Sequence, residues 1–219
     1  LETAMMMTAD ASKTRRNRLT LLALIAIFAL PPLLGWFFIM NPQWLPSETV
    51  NKGVLIHPPR AVSGLALSDA ATGVPLDWHE LLDKWVFVAV NRGDCDQQCI
   101  TRLINLRQLR RALAAERKRV ERVLIMLPDA TGRAPKPPPM EGLEGTRIVL
   151  TGNSDVTNNL VSLFELEQIE ASEHLFIVDP RGDLMMRHNL KTLKAKEILK
   201  DLELLLKASA NWVQGDKHE

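Results

Sequence analysis

The chain has 219 residues, 46% of them hydrophobic and 24% charged, with 27 Lys/Arg against 26 Asp/Glu and two cysteines. That length holds one ordinary domain plus appendages. A net charge of +1 excludes the electrostatic footprint of a nucleic-acid binder, because the basic residues are balanced almost one for one.

Residues 1–18 form a polar tail carrying Lys13, Arg15, Arg16 and Arg18. Residues 19–40, LTLLALIAIFALPPLLGWFFIM, hold no charge, and a helix needs about 20 apolar residues to cross a bilayer core. This predicts a transmembrane helix. Pro31 and Pro32 remove one or two backbone hydrogen bonds, which bends such a helix without breaking it. A secretory signal peptide is the competing reading, but no A-x-A-like cleavage site follows. Basic residues precede the segment, whereas Asn41 to Val50 carry only Glu48, so the amino terminus is expected in the cytoplasm. The rest of the chain is then outside, which for a bacterium means a single-pass inner-membrane protein with its C-terminal domain in the periplasm.

Residues 41–60, rich in proline and polar residues, read as a tether. A folded domain is expected over 61–210 and a polar tail over 211–219. Within the domain, GLALS reads as a short strand and LDWHELLDKW as a helical turn. KWVFVAV is a continuous apolar run suited to a strand buried on both faces. CITRLINLRQLRRALAAERKRV spaces Ile100, Leu103, Ile104, Leu106, Leu109 and Leu113 as an amphipathic helix. Its basic run, residues 107–119, reads as a solvated face. RVLIML and TRIVLTG are further strands, and SDVTNNLVSLFEL is a helix capped by Ser154 or Asp155. HLFIVDPRGDLMMRHN is a hairpin turning at Pro180 and Gly182, and TLKAKEILKDLELLLKASA a closing helix. The order strand, helix, strand, strand, helix, hairpin, helix predicts a three-layer α/β domain with a mixed central sheet.

Cys95 and Cys99 lie in NRGDCDQQCI, where the buried strand ends and the helix opens. Chemistry in α/β folds gathers at such junctions. Residues four apart bring their Cα atoms within the span of a disulfide, and the helix start favours thiolate. A structural disulfide, a redox pair and a metal site all remain open. A bridge over so short a loop stabilises weakly, and two thiolates need a third ligand, with histidine the favoured type, to hold Cu(I) or Zn(II). His57, in the tether, and His218, in the tail, read as solvated, and His79 lies on the helical turn. His174, just before the strand LFIVD, and His188, after the hairpin turn, are the candidates. Met185 and Met186 read as core. Asp94 and Asp96 read as solvated charges beside the thiols.

Taken together, the anchor, LALSDAATGVPLDWHELLDKWVFVAV, the Cys-x-x-x-Cys of Cys95 and Cys99, IMLPD and HLFIVDPRGDL resemble the Sco family of thioredoxin-like copper chaperones for cytochrome c oxidase. The likeness covers roughly residues 62–207. It implies a thioredoxin-like fold and one copper ion, Cu(I) or Cu(II), held by Cys95, Cys99 and His174, with His188 as the runner-up ligand. It also implies a partner, the copper-bearing oxidase subunit or another respiratory-complex subunit, served by metal transfer or by reduction of its cysteines. Ordinary thioredoxin-like oxidoreductases carry a cis-proline where this chain reads Glu173-His174-Leu175. Asp96 and Ile100 stand where the family has prolines, which marks a divergent member. A metal-free periplasmic thiol-disulfide oxidoreductase and a non-catalytic accessory subunit docked on a respiratory oxidase are the alternatives.

Overall fold

The structure, a computed structural model, describes residues 2–41 and 51–209, with side chains from residue 17 onward. It divides into two compact units at Thr49 and Val50. In the first, helix α1 runs from Glu2 to Met40 with Pro31 and Pro32 inside it. Its stretch Asn17–Met40, which contains an 18-residue window with a mean hydropathy of 2.3, is 24 residues long. At about 1.5 Å per residue this exceeds the roughly 30 Å of a bilayer core, so α1 is long and apolar enough to span a membrane. Its leucines and phenylalanines point outward, as lipid-facing side chains do. The helix also takes in most of the charged tail, which hydropathy alone does not predict.

The second unit is built on a seven-stranded sheet: β1 (Val54–Ala61), β2 (Leu67–Asp69), β3 (Trp85–Arg92), β4 (Val120–Leu127), β5 (Thr146–Thr151), β6 (His174–Val178) and β7 (Asp183–Asn189). The strand order is β1-β7-β6-β3-β4-β5-β2. The neighbours β3, β4 and β5 run parallel, and the remaining pairs are antiparallel. Helices α2 (Gln97–Ala112), α3 (Ser154–Leu163) and α4 (Ala195–Ala208) complete three layers. This is the mixed-sheet, thioredoxin-like architecture that the sequence predicts.

Strand alternation sorts the core into two halves. Val86, Val88 and Val90 of β3 join Leu160 of α3 and Phe164 just after it. Trp85, Phe87 and Ala89 join Leu103, Leu106 and Leu109 of α2 with Ile198 and Leu202 of α4. On the α3 side Phe164 and Phe176 meet edge to face, 4.9 Å between centroids, and burying each such ring contributes about 2–3 kcal/mol. The hairpin turns where expected, with Gly182 at φ 87°, a conformation that favours glycine.

Two expectations change. Residues 42–50 of the tether lie outside the described residues, but Val54–Ala61 is a strand, so the domain begins before residue 61. Pro58 and Pro59 disguise it: neither can donate to a ladder, and both fit because β1 is an edge strand with a register irregularity between Leu55 and Arg60. His57 is exposed on it. The cap of α3 is Asn153, whose side chain accepts from the Val156 amide, rather than Ser154 or Asp155. The 211–219 tail, with His218, lies outside the described residues.

Candidate dithiol site

Where β3 ends, the chain turns through Gly93, whose φ of 73° is a left-handed conformation. The Asn91 side chain holds this turn, donating from Nδ2 to the carbonyls of Gly93 at 3.2 Å and Asp94 at 3.3 Å. Asp96 then caps α2: its Oδ1 accepts from the Cys99 amide at 2.9 Å. Asp96 is exposed, as the sequence predicts, and it also fixes where the helix starts. Cys95 thus precedes the helix and Cys99 lies in its first turn. The two are joined by a disulfide with Cα atoms 5.3 Å apart. Cys95 is half-buried and packs against the core that Cys99, 3% exposed, belongs to.

Arg102 lies one turn further along α2 and is itself buried. Its Nη1 donates to the Ser172 carbonyl, and its Nη2 to the Val90 carbonyl at 3.3 Å and to Asn91 Oδ1 at 3.1 Å. One guanidinium therefore ties the helix to β3 and to the 3-10 turn Ala171–Glu173 that leads into β6. Burial lowers its pKa, while the charges of Asp96 and Glu170 work the other way. A groove of about 1190 Å³ opens beside it, lined by Cys99, Arg102, Leu106, Glu170, Ser172 and Ile198 among others. Neither Arg102 nor Asn91 stands out in the sequence. The available signal was an arginine within the apolar stripe, next to Leu103 and three residues after Cys99.

Asp94 is exposed and accepts from the Lys136 amide at 2.8 Å and from Arg133 at 3.3 Å. The Lys136 hydrogen bond, followed by the charge of Arg133, holds its carboxyl below the usual range. The loop before Cys95 is thereby tied to the proline-rich loop after β4.

His174 is the first residue of β6 and is buried. Its Nδ1 is 2.9 Å from the Glu170 carbonyl. That acceptor requires the proton on Nδ1 and leaves a lone pair on Nε2. Its ring lies 6.1 Å from that of Phe176. Phe176 and Val178, which share its side of β6, belong to the α3-side core, whereas Cys99 belongs with Leu175 and Ile177 to the other. His174 and Cys99 therefore lie on opposite faces of the sheet. His188 is on the cysteine face, cross-strand from Leu175, and fully buried. Its Nε2 lies 3.1 Å from Asp201 Oδ2, an oxygen that also accepts from the amides of Lys52 and Gly53. Met186 is core, as expected, and Met185 packs against it. Among the described residues no three His, Cys, Asp or Glu side chains are gathered so as to hold a metal ion.

A protein-family model for a transmembrane-like, thioredoxin-like, C-terminal domain matches residues 85–209. No curated protein matches the chain. Among solved structures, yeast Sco1 with copper bound superposes with a TM-score of 0.53 at 16% identity, over 74% of this chain and 96% of that one. A second structure of yeast Sco1 gives 0.52 at 17% identity, over 66% and 92%. A SCO1/SenC family lipoprotein from Bacillus anthracis gives 0.49 at 17%, over 68% and 98%. At this identity the likeness concerns the fold, which is of the Sco type. With more than half of its length matched, the chain belongs to the family of transmembrane-like, thioredoxin-like C-terminal domains.

Proposed function

We propose that this protein is a membrane-anchored, Sco-like assembly factor that exchanges disulfides with the copper-bearing subunit of a cytochrome c oxidase. The observation that carries the reading is the Cys95–Cys99 disulfide at the start of α2, with Cys95 half-exposed and Cys99 buried. In the reduced protein the Cys95 thiolate attacks a client disulfide, forming a mixed disulfide and releasing one client thiolate. Cys99 then attacks the Cys95 sulfur, forming the internal disulfide and releasing the second client thiolate. Two electrons pass to the client, and a dithiol donor returns them. The groove beside Cys99 is where the client segment would lie. By the charge asymmetry around α1, the domain faces the periplasm from a bacterial inner membrane.

Copper as cargo is the second reading, with Cys95, Cys99 and His174 as its ligands. The bond from His174 Nδ1 to the Glu170 carbonyl favours it, since it orients the ring and leaves Nε2 as a donor. Binding would need the disulfide reduced and the Ala171–Glu173 turn shifted so that the imidazole comes round the end of the sheet.

The experiment mixes the reduced full chain, in detergent, with an oxidised dicysteine peptide from the oxidase subunit. A Cys99→Ser variant should accumulate the mixed disulfide through Cys95, and failure of the intact protein to reduce the peptide would end the exchange reading. Cu(I) titration of the same protein and its Cys95→Ser, Cys99→Ser and His174→Ala variants tests the second. Equal affinity in all four would remove the copper site.

A further inference from the structure

The lower half of α2 meets β4 and the loop 142–146 in a cluster of arginines that the dithiol site does not use. Of the seven buried side-chain nitrogen and oxygen atoms without a partner among the described residues, four lie here: Arg107 Nε, Arg122 Nε, Arg122 Nη1 and Thr146 Oγ1. Arg122 is 4% exposed and stands directly opposite Thr146 in the β4–β5 ladder. Its remaining nitrogen, Nη2, donates to the Glu144 carbonyl at 2.6 Å. Arg107 reaches in from α2 and donates to the Gly142 carbonyl.

A guanidinium has only donors, so neighbouring arginines cannot satisfy one another. Leaving such donors buried and unpaired is costly. Burial and the charges of Arg110 and Arg107 push the Arg122 pKa down to about 10, with Glu121 opposing. Glu121 is itself paired with Lys84 at 2.8 Å. Four of its polar atoms therefore lack a partner and positive charge is in excess; water supplies acceptors but no negative charge. One carboxylate already sits at its mouth. Glu144 accepts from Arg107 at 3.2 Å and from the Gly142 amide at 2.9 Å, and its side chain is 71% exposed. It can swing away at little cost and leave an anion in its place.

We propose that Arg107, Arg122, Thr146 and the Gly142 amide form an anion site for an oxyanion of the phosphate class, with Glu144 as its built-in competitor. A guanidinium fork can bind two oxygens of one phosphate. The ligand is either free phosphate or the phosphodiester of an anionic lipid, and it is independent of the dithiol chemistry.

The test is isothermal titration of the full chain in detergent with inorganic phosphate, at ionic strength held constant with chloride. Saturable binding is expected, several-fold tighter in Glu144→Gln, where the competing charge is gone. Loss of both charge and fork in Arg122→Met should weaken it by about tenfold or more. Should that variant fail to fold, Thr146→Val removes a single donor and should weaken binding by a smaller factor. Phosphatidylglycerol in the micelles, against phosphatidylcholine, names the source: competition with phosphate assigns the site to a lipid headgroup, and no competition to the free ion. No saturable binding in either the wild type or Glu144→Gln overturns the proposal, as does unchanged binding in folded Arg122→Met.

Discussion

The two faces of the sheet differ in what they bury. On the face covered by α2 and α4, the strands carry Asn91, Arg122, Thr146 and His188 among the buried residues, and the helices add Cys99, Arg102 and Asp201. On the α3 face the strands bury valines, isoleucines, leucines and Phe176, with His174 at the rim. Most buried polar groups are held beside a partner. The first face supplies partners to many of them, from the start of α2 and the loops at its two ends, and leaves Arg122 and Thr146 with unpartnered atoms among the described residues. The second has a short helix and a 3-10 turn. The difference teaches that the Cys95–Cys99 disulfide is organised from one side, and that His174 lies outside that organisation.

The largest effect should come from the sulfurs. If Cys95 makes the first attack as proposed, Cys95→Ser should abolish transfer to an oxidised dicysteine peptide, measured by loss of peptide reduction. Replacing both cysteines by serine should cost only about 2 kcal/mol in urea denaturation, since the closed loop is so short. A much larger loss would recast the pair as a staple and blunt the contrast between the faces.

Arg102→Met comes next. It strands three acceptors, the Ser172 and Val90 carbonyls and Asn91 Oδ1, and should cost about 3 kcal/mol by denaturant titration. It also loosens the loop that Asn91 holds ahead of Cys95, so exchange slows with it. The same face offers an internal control. Arg122→Met strands one acceptor and removes two unpaired donors, so in phosphate-free buffer it should cost less than about 1 kcal/mol. Equal losses at the two arginines would mean that both are held alike, against the pairing seen in the structure.

His188 gives this face a pH dependence. Burial depresses its pKa below 6.5, with Asp201 partly opposing. The unfolded chain therefore binds the proton at higher pH than the folded one does. The contribution is fully present above about 6.5 and is lost as the pH falls from there through the lower folded value. Urea midpoints measured across that window should decline on acidification, and the decline should flatten in His188→Gln. A midpoint that rises on acidification would show that the Asp201 carboxylate outweighs burial.

Much of this was legible in the chain. WVFVAV gave a strand buried on both faces, the leucine spacing gave α2, and DPRGD gave the hairpin. The burial of His188 was not read: the chain offers it only as a runner-up ligand, whereas in β7 it is buried between half-buried neighbours. The strand β1 was hidden because an edge tolerates the prolines that argue against a strand. The role of Asp96 was hidden because a charge beside a thiol and a helix cap look alike until the helix start is known. The side taken by His174 was hidden for a different reason. Period-two alternation puts His174 with Phe176, but deciding which face that is requires the register of β6 against β3 and the side on which α2 crosses.

The smallest expected effect is therefore the most informative. If the faces are as separate as their packing indicates, His174→Ala should leave the exchange rate within about twofold, even though it removes the bond to Glu170 and the ring contact with Phe176. Stopped-flow reduction of the oxidised peptide measures this directly. A tenfold change would mean that in the reduced state the imidazole rounds the end of the sheet to the sulfurs. Cu(I) affinity separates the two cases without relying on rate. Loss of affinity in His174→Ala with exchange intact would assign the imidazole to copper and the thiols to both tasks. Unchanged affinity would leave His174 as a buried residue that orders the turn before β6.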